Sequence, residues 1–334
     1  MARNEANTGH AQTTRNTVLA AIAIICVLAL AFTAVFVWSR SGSTRQTASK
    51  PADYCMTTTS SGSYPLSLTQ TRNASHITVI AIGRGLPDHA ATVAIATAMQ
   101  ESKLVNLDYG DRDSVGLFQQ RPSQGWGTIE QLMDETYATN AFYDALVKVA
   151  NWQTIPVEDA AQAVQRSGYP DLYAQWDGMA RAWASAMTGE VAAGITCSIH
   201  SRSTADPDGL VSAFRTLFPS ITIVRSLGLD DDSDSSGSSD SSNHASTSNS
   251  ANSDNSSTAD QPSTLETTLT FTLPAGLSTT ETKRRGWQAA TWMIAHAQQY
   301  GIDAIHTNGM DWTRKTGSWS GTEAAEQTLT VTFQ

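Results

Sequence analysis

Basic residues are scarce in this chain: Lys and Arg supply 21 of 334 positions, against 31 Asp and Glu, for a formal net charge of −10. A nucleic-acid surface requires clustered cations to meet the phosphate backbone, and the acid excess argues against one, so no nucleic-acid partner is expected. Cysteine occurs only three times. The seven histidines, His76, His89 and His200 among them, show no ligand spacing, so neither a metal nor another cofactor is expected. Convincing apolar–polar alternation is missing before residue 200. The acid excess is itself local, gathered in Asp230, Asp231, Asp232, Asp234, Asp240, Asp254 and Asp260. Without that tract the rest of the chain is close to neutral. Its DxDxD start does not make a calcium loop, because Ser235 stands where the loop needs Gly and Ser241 where it needs Glu.

One long hydrophobic run is present. Residues 17–38, TVLAAIAIICVLALAFTAVFVW, are 22 uncharged positions ending on Trp38, long enough to cross a bilayer core as a helix. The run exceeds the apolar core of a cleaved signal peptide. Arg3 and Arg15 precede it while Arg40, Arg45 and Lys50 lie after it, so charge asymmetry does not orient it. Orientation rests on cysteine. Cys55 and Cys197 bracket one segment, a placement that suits a disulfide stapling its ends and hence oxidising surroundings; two buried free thiols are the alternative. The expectation is a single-pass cell-membrane protein with its N-terminus inside and its bulk extracytoplasmic.

The chain then divides into a tail (1–16), a transmembrane helix (17–38), a polar spacer (39–54), a helical domain (55–200), a small α+β domain (201–228 with 265–334) and a disordered acidic insertion (229–264), too poor in apolar residues to order itself. The fold class expected is mainly α. Ser67-Leu-Thr-Gln70 has the capping-box pattern and opens one helix, which Gly83 and Gly85 close. Pro87 suits the first turn of a second, over 87–102. Thr128 with Gln131 opens a third. The spacing of Tyr173, Trp176, Ala180, Trp183 and Met187 predicts one helix over 171–188 with those residues as core. TLTFTL (268–273) and LTVTF (329–333) alternate as strands around the apolar helix GWQAATWMIAHAQQYG (286–301).

The second helix raises the functional question. Ala90, Val93, Ala94, Thr97, Ala98 and Glu101 share a face, so Glu101 ends an inward stripe. A carboxylate there is partly desolvated, which favours the protonated form a general acid needs. The alternative is a helix-terminal Glu turned to solvent or paired with Lys103 or Arg112. Beyond this helix the chain carries Tyr109-Gly110-Asp111-Arg112, then Gly116-Leu117-Phe118-Gln119, and later Asn140-Ala-Phe-Tyr-Asp-Ala-Leu146. Glu101-Ser102 and these motifs, in this order, resemble the lysozyme-like superfamily, nearest to goose-type lysozymes and soluble lytic transglycosylases, and more narrowly a lysozyme-like domain of membrane-anchored Gram-positive proteins. Phe118 stands where Met is usual. The likeness covers about 65–188.

That resemblance implies Glu101 as general acid/base and Asp111 as the carboxylate that helps activate water. It implies a subsite lined by Ser102, the Gly116-Leu117 backbone and Gln119, with Gln165 at the place of a third motif. Two departures stand out: Arg121 occupies the position of a further Asp, and Ala163-Val164-Gln165 replaces Ala-Tyr-Asn, so that motif's Tyr is missing. Gln119, Gln120, Arg121 and Gln124 would offer donors to sugar hydroxyls and stem-peptide carboxylates. Trp126 either stacks on a pyranose or packs as core. Asp108 and Asp113 read as turn and solvated residues. The function expected is cleavage of peptidoglycan glycan strands, either by hydrolysis with Asp111 as base or by N-acetyl assistance with Glu101 alone, giving a 1,6-anhydro end. The rivals are a wall-glycan-binding module without turnover and an envelope scaffold whose protein partner meets the C-terminal domain.

Overall fold

A computed structural model describes residues 53–227 and 267–334. The expected tail 1–16, the span 17–38, nearly all of the spacer 39–54 and the acidic tract 229–264 lie outside the described residues. Among the described residues no helix is long and apolar enough to cross a membrane, so the single-pass membrane placement is withdrawn.

The mainly α expectation is also corrected: the fold is α+β, with two antiparallel sheets. The first lies inside the segment read as all-helical. Strands β1 (Tyr54–Thr59) and β2 (Gly62–Ser67) form a hairpin across Ser60-Ser61, and β3 (Thr196–Ser198) returns to pair with β1 in the order β2-β1-β3. Threonines and Tyr64 favour the pleat, and Pro65 sits on an edge strand, where its missing N–H costs no ladder bond. Cys55 pairs with Cys197 in register, Cα to Cα 3.9 Å, and the two are disulfide-bonded. The bridge closes a 142-residue separation.

Between those strands lies the helical body. Helix α1 (Leu68–Gly83) starts at the Ser67/Gln70 capping box, which forms as the pattern predicts. Helix α2 (Asp88–Ser102) comes next, and its interior from Ala90 to Met99 is buried without interruption. Such all-round burial belongs to a central helix, and the many alanines let neighbours approach closely. The single inward stripe read from its sequence is therefore too narrow a description. The short α3 (Ile129–Met133) packs on α4 (Glu135–Leu146), and α2 itself packs against α1, α4, α5 (Val157–Gln165) and α6 (Asp177–Met187). The helix expected over 171–188 is shorter than predicted. Residues Pro170–Leu172 and Ala174–Trp176 are separate 3₁₀ turns, and α6 begins only at Asp177.

The second sheet has the order β4-β5-β9-β6-β7-β8, all neighbours antiparallel. Its strands are β4 (Thr222–Leu227), β5 (Thr267–Thr272), β6 (Ile302–Thr307), β7 (Met310–Thr313), β8 (Trp319–Gly321) and β9 (Thr328–Phe333). Helices α7 (Pro207–Leu217), α8 (Thr279–Ala295) and α9 (Ala297–Tyr300) accompany it. Leu269, Phe271, Leu329 and Val331 face the core while the alternating threonines do not.

Helix α8 also packs on α1 and α6, so the two halves share one core cluster. Arg284 of α8 clamps both oxygens of Asp88, at 2.5 and 2.6 Å, in the first turn of α2. Its Nε and the Gln288 amide both donate to the Thr188 carbonyl just after α6. Both bonds to Asp88 come from the single Nη2, a charge-assisted contact stronger than a neutral hydrogen bond.

Candidate active site

Glu101 occupies the last turn of α2, half-buried. A carboxylate there meets the negative end of the helix dipole and needs a compensating donor. Tyr173 provides it: its hydroxyl donates to Glu101 Oε1 at 2.5 Å. Tyr173 is wholly buried. Burial first, then the charge and hydrogen bond of Glu101, push its phenol far above the usual tyrosine range, so it stays a donor at any physiological pH. Neither Lys103 nor Arg112 forms an ion pair with Glu101 among the described residues. Lys103 instead lies with its ammonium 4.5 Å from the centroid of Trp176, and Arg112 approaches Asp111 at 3.9 Å. Desolvation lowers the Lys103 ammonium below the usual lysine range, while the Glu101 charge opposes that shift.

The same 173–176 stretch holds the residue before Glu101. Trp176 Nε1 and Gln175 Nε2 both donate to Gln100 Oε1, at 2.8 and 3.2 Å. The end of α2 is thus gripped by a segment distant in sequence. On the other side, α1 grips its exit. Gln70 Nε2 donates to the Lys103 carbonyl and Asn73 Nδ2 to the Leu104 carbonyl. Both Lys103 and Leu104 are left-handed, φ 57° and 56°. With Arg112 and Gln119 they place four of the eight non-glycine positive-φ residues of the described chain between 103 and 119. Such conformations cost roughly 1–3 kcal/mol each and cluster at functional sites.

The 103–121 loop is built on side chains the sequence reading assigned to substrate. Ser102 Oγ, buried, shares its hydrogen between the Leu117 carbonyl at 2.7 Å and the Ala98 carbonyl at 3.0 Å. Gln165 Nε2 holds the Phe118 carbonyl at 2.8 Å. Leu117 and Phe118 are fully buried, and Phe118 stacks on Phe142 at 4.6 Å. Gly116 has φ 81°, and a Cβ there would run into the Leu132 carbonyl. Gln119 folds back to donate to the Tyr109 and Gly116 carbonyls, both at 3.2 Å, over a Gly110 that leaves no room for a side chain. Gln120 is buried and donates to the Ala138 carbonyl. Ser102, Gly116, Leu117, Gln119, Gln120 and Gln165 therefore shape the loop beside Glu101. Trp126 is half-buried against the core, its carbonyl held by the Tyr137 hydroxyl.

Asp111 stands apart from this frame. Its side chain is 92% exposed, and no hydrogen bond or ion pair joins it to Glu101 among the described residues. Arg121, at the position where the resemblance implies a further Asp, has a structural task instead: its Nε donates to Asp113 Oδ1 at 2.7 Å. The Ser123 N–H, Arg121 and the Ser123 hydroxyl together hold the Asp113 carboxyl well below the usual range.

Three features escaped the sequence reading. The spacing of Tyr173 and Trp176 predicts core of a continuous helix, and no motif marks Gln100. The breaker run Ser167-Gly-Tyr-Pro170 was the available signal that the helix starts later. Tyr109 and Tyr169, 68% and 74% exposed, project from the loops that carry Asp111 and Tyr173 respectively. Comparison with known protein families and with curated proteins returned no match.

Proposed function

We propose that the protein cleaves glycan strands of the peptidoglycan type, with Glu101 as acid and then base. The observation that carries this reading is the buried Tyr173 hydroxyl fixed on Glu101 Oε1. One carboxylate oxygen is committed to an internal donor, which orients the other for proton transfer to and from a glycosidic oxygen. The left-handed exit of α2 and the self-bonded 103–121 loop support the reading, because a reacting group has to be held by elements that do not yield.

The exposure of Asp111 favours the route with a single protein carboxylate. There Glu101 protonates the leaving oxygen, the substrate's N-acetyl oxygen attacks C1, and Glu101 then takes the proton from the 6-hydroxyl as the 1,6-anhydro ring closes. In hydrolysis, two carboxyl groups flank the bond. The test is digestion of purified wall sacculi by the full-length protein, with fragment ends read by mass. Anhydro-ended fragments that disappear with Glu101→Gln are expected. No fragments, or release untouched by Glu101→Gln, refutes catalysis. Retained affinity for strands with no release by either protein would identify the glycan-binding module, a reading favoured by the loss of a second carboxylate at Arg121.

A further inference from the structure

The described halves meet in a second place, away from Glu101. A cavity of about 410 Å³ opens between β3 and the turn after β7, and its walls include Cys197, Arg202, Asp303, Arg314 and Lys315. We propose that this cavity binds a phosphate-bearing ligand.

Arg314 is the central group, and it is only 6% exposed. Its Nη2 donates to the Ser201 carbonyl at 2.5 Å and its Nη1 to the Ala297 carbonyl at 3.3 Å. Among the described residues no carboxylate lies within ion-pair distance of this guanidinium. Buried charges are ordinarily paired, because an unpaired one forfeits its hydration without compensation. A guanidinium has five N–H donors in a fixed fork, and two carbonyls do not exhaust them. Arg314 lines the cavity, and an oxyanion there would complete its shell in the way guanidinium groups receive phosphate.

Two further cations reach the same space. Lys315 and Arg202 are exposed, and neither makes an ion pair among the described residues. Asp303 is the one side-chain carboxylate in the lining itself, and Asp53, which holds the His200 and Ser201 amides of that wall, also acts on Arg314 through its charge. Three cations, Arg202, Arg314 and Lys315, against the two carboxylates Asp303 and Asp53 leave an excess of one positive charge, in a chain whose formal net charge is −10. A phosphodiester, with one negative charge and two free oxygens for the guanidinium fork, balances that excess.

The walls are also preorganised. Strand β6 is bulged at Asp303, whose carbonyl accepts from the Arg314 N–H at 2.7 Å. Thr313 and Thr316 share a hydroxyl–hydroxyl bond at 2.9 Å, and Gly317 N–H donates to the Thr313 carbonyl at 2.8 Å. Gly317 lies flush on the backbone of Cys197, whose N–H donates to the Gly317 carbonyl at 2.8 Å. The turn carrying Arg314 and Lys315 is thereby seated on the disulfide. On the opposite wall Asp53 fixes the His200 and Ser201 amides at 2.8 and 3.2 Å. Bulges and tight turns that re-aim side chains are common beside binding sites.

If Arg314 were only a strut between Ser201 and Ala297, then Lys315 and Arg202 would be irrelevant to any ligand. Isothermal titration of the full-length protein with inorganic phosphate, with a short glycerol-phosphodiester oligomer and with citrate separates the cases. Binding of phosphate or of the oligomer is expected, weakening as NaCl rises. An Arg202→Ala/Lys315→Ala variant, exposed at both positions and so expected to keep its melting temperature, should bind at least about ten-fold more weakly. Tighter binding of the oligomer would identify a polymer as the source, and tighter phosphate a free metabolite. Three results overturn the proposal: neither phosphate compound binds, the double variant binds undiminished, or citrate binds as tightly with the same dependence on Arg202 and Lys315.

Discussion

Replacing Tyr173 by Phe removes one oxygen from the molecule and little else. The ring is fully buried and Phe fills nearly its volume, so packing is preserved. What disappears is the donor to Glu101 Oε1 at 2.5 Å. A hydrogen bond to a charged partner is worth about 1.5–3 kcal/mol. If all of it is spent on holding the carboxyl in its reactive pose, the rate of glycan cleavage should fall about 10- to 150-fold. Tyr173→Phe is therefore expected to depress kcat on wall sacculi by one to two orders of magnitude, with affinity for strands measured in the Glu101→Gln background unchanged. The melting temperature should move by only a few degrees. Activity within about two-fold of the wild type would refute the positioning argument. So would a large stability loss that alone accounted for the activity loss.

Reducing the Cys55–Cys197 bridge, or replacing both residues by Ala, should destabilise by about 5 kcal/mol on the chain-entropy estimate for its 142-residue separation. That corresponds to a melting point lower by about 10 °C or more, and a change of only 1–2 °C in calorimetry would show the estimate to be wrong. Gly116→Ala places a Cβ against the Leu132 carbonyl at φ 81°. It should cost about 1–3 kcal/mol and loosen the 103–121 loop, read by denaturant midpoint and proteolysis. His306 lies between Asp311 at 2.7 Å and Glu326 at 3.1 Å. Burial pulls its pKa down, but hydrogen bonds and charges from those two carboxylates outweigh it and raise the value. A raised folded value means stability fully present below the unfolded pKa of about 6.5 and lost as pH climbs through the folded one. His306→Gln should flatten that decline, and an unaltered melting-temperature profile from pH 6 to 9 would count against the clamp.

Local chemistry was readable in the sequence wherever one element decided its own fate. The Ser67/Gln70 and Thr128/Gln131 boxes form, and the alternating 267–272 and 328–333 stretches are strands. What failed depended on partners far along the chain. Strand β1 is specified by pairing with β3, some 140 residues on, and its alternation is half-hidden by a threonine run in which Thr57 is buried while Thr58 and Thr59 are exposed. Tyr173 satisfies a helical stripe on paper, yet the backbone around it runs as 3₁₀ turns, and its hydroxyl meets a carboxylate 72 positions earlier. The donors expected for sugar, Gln119, Gln120 and Gln165, hold backbone carbonyls instead. A polar loop looks the same in sequence whether its side chains face a ligand or brace one another.

Helix α2 is fastened at its start by Arg284 and carries Glu101 at its finish. An axle journalled at one end by residues from the opposite half of the chain does not tolerate that half being cut away. Evolution or an engineer swapping the C-terminal portion for a foreign cassette would inherit a bare Asp88 and an uncovered flank on α1 and α6. Portability, the usual virtue of a fused unit, is what this chain has surrendered.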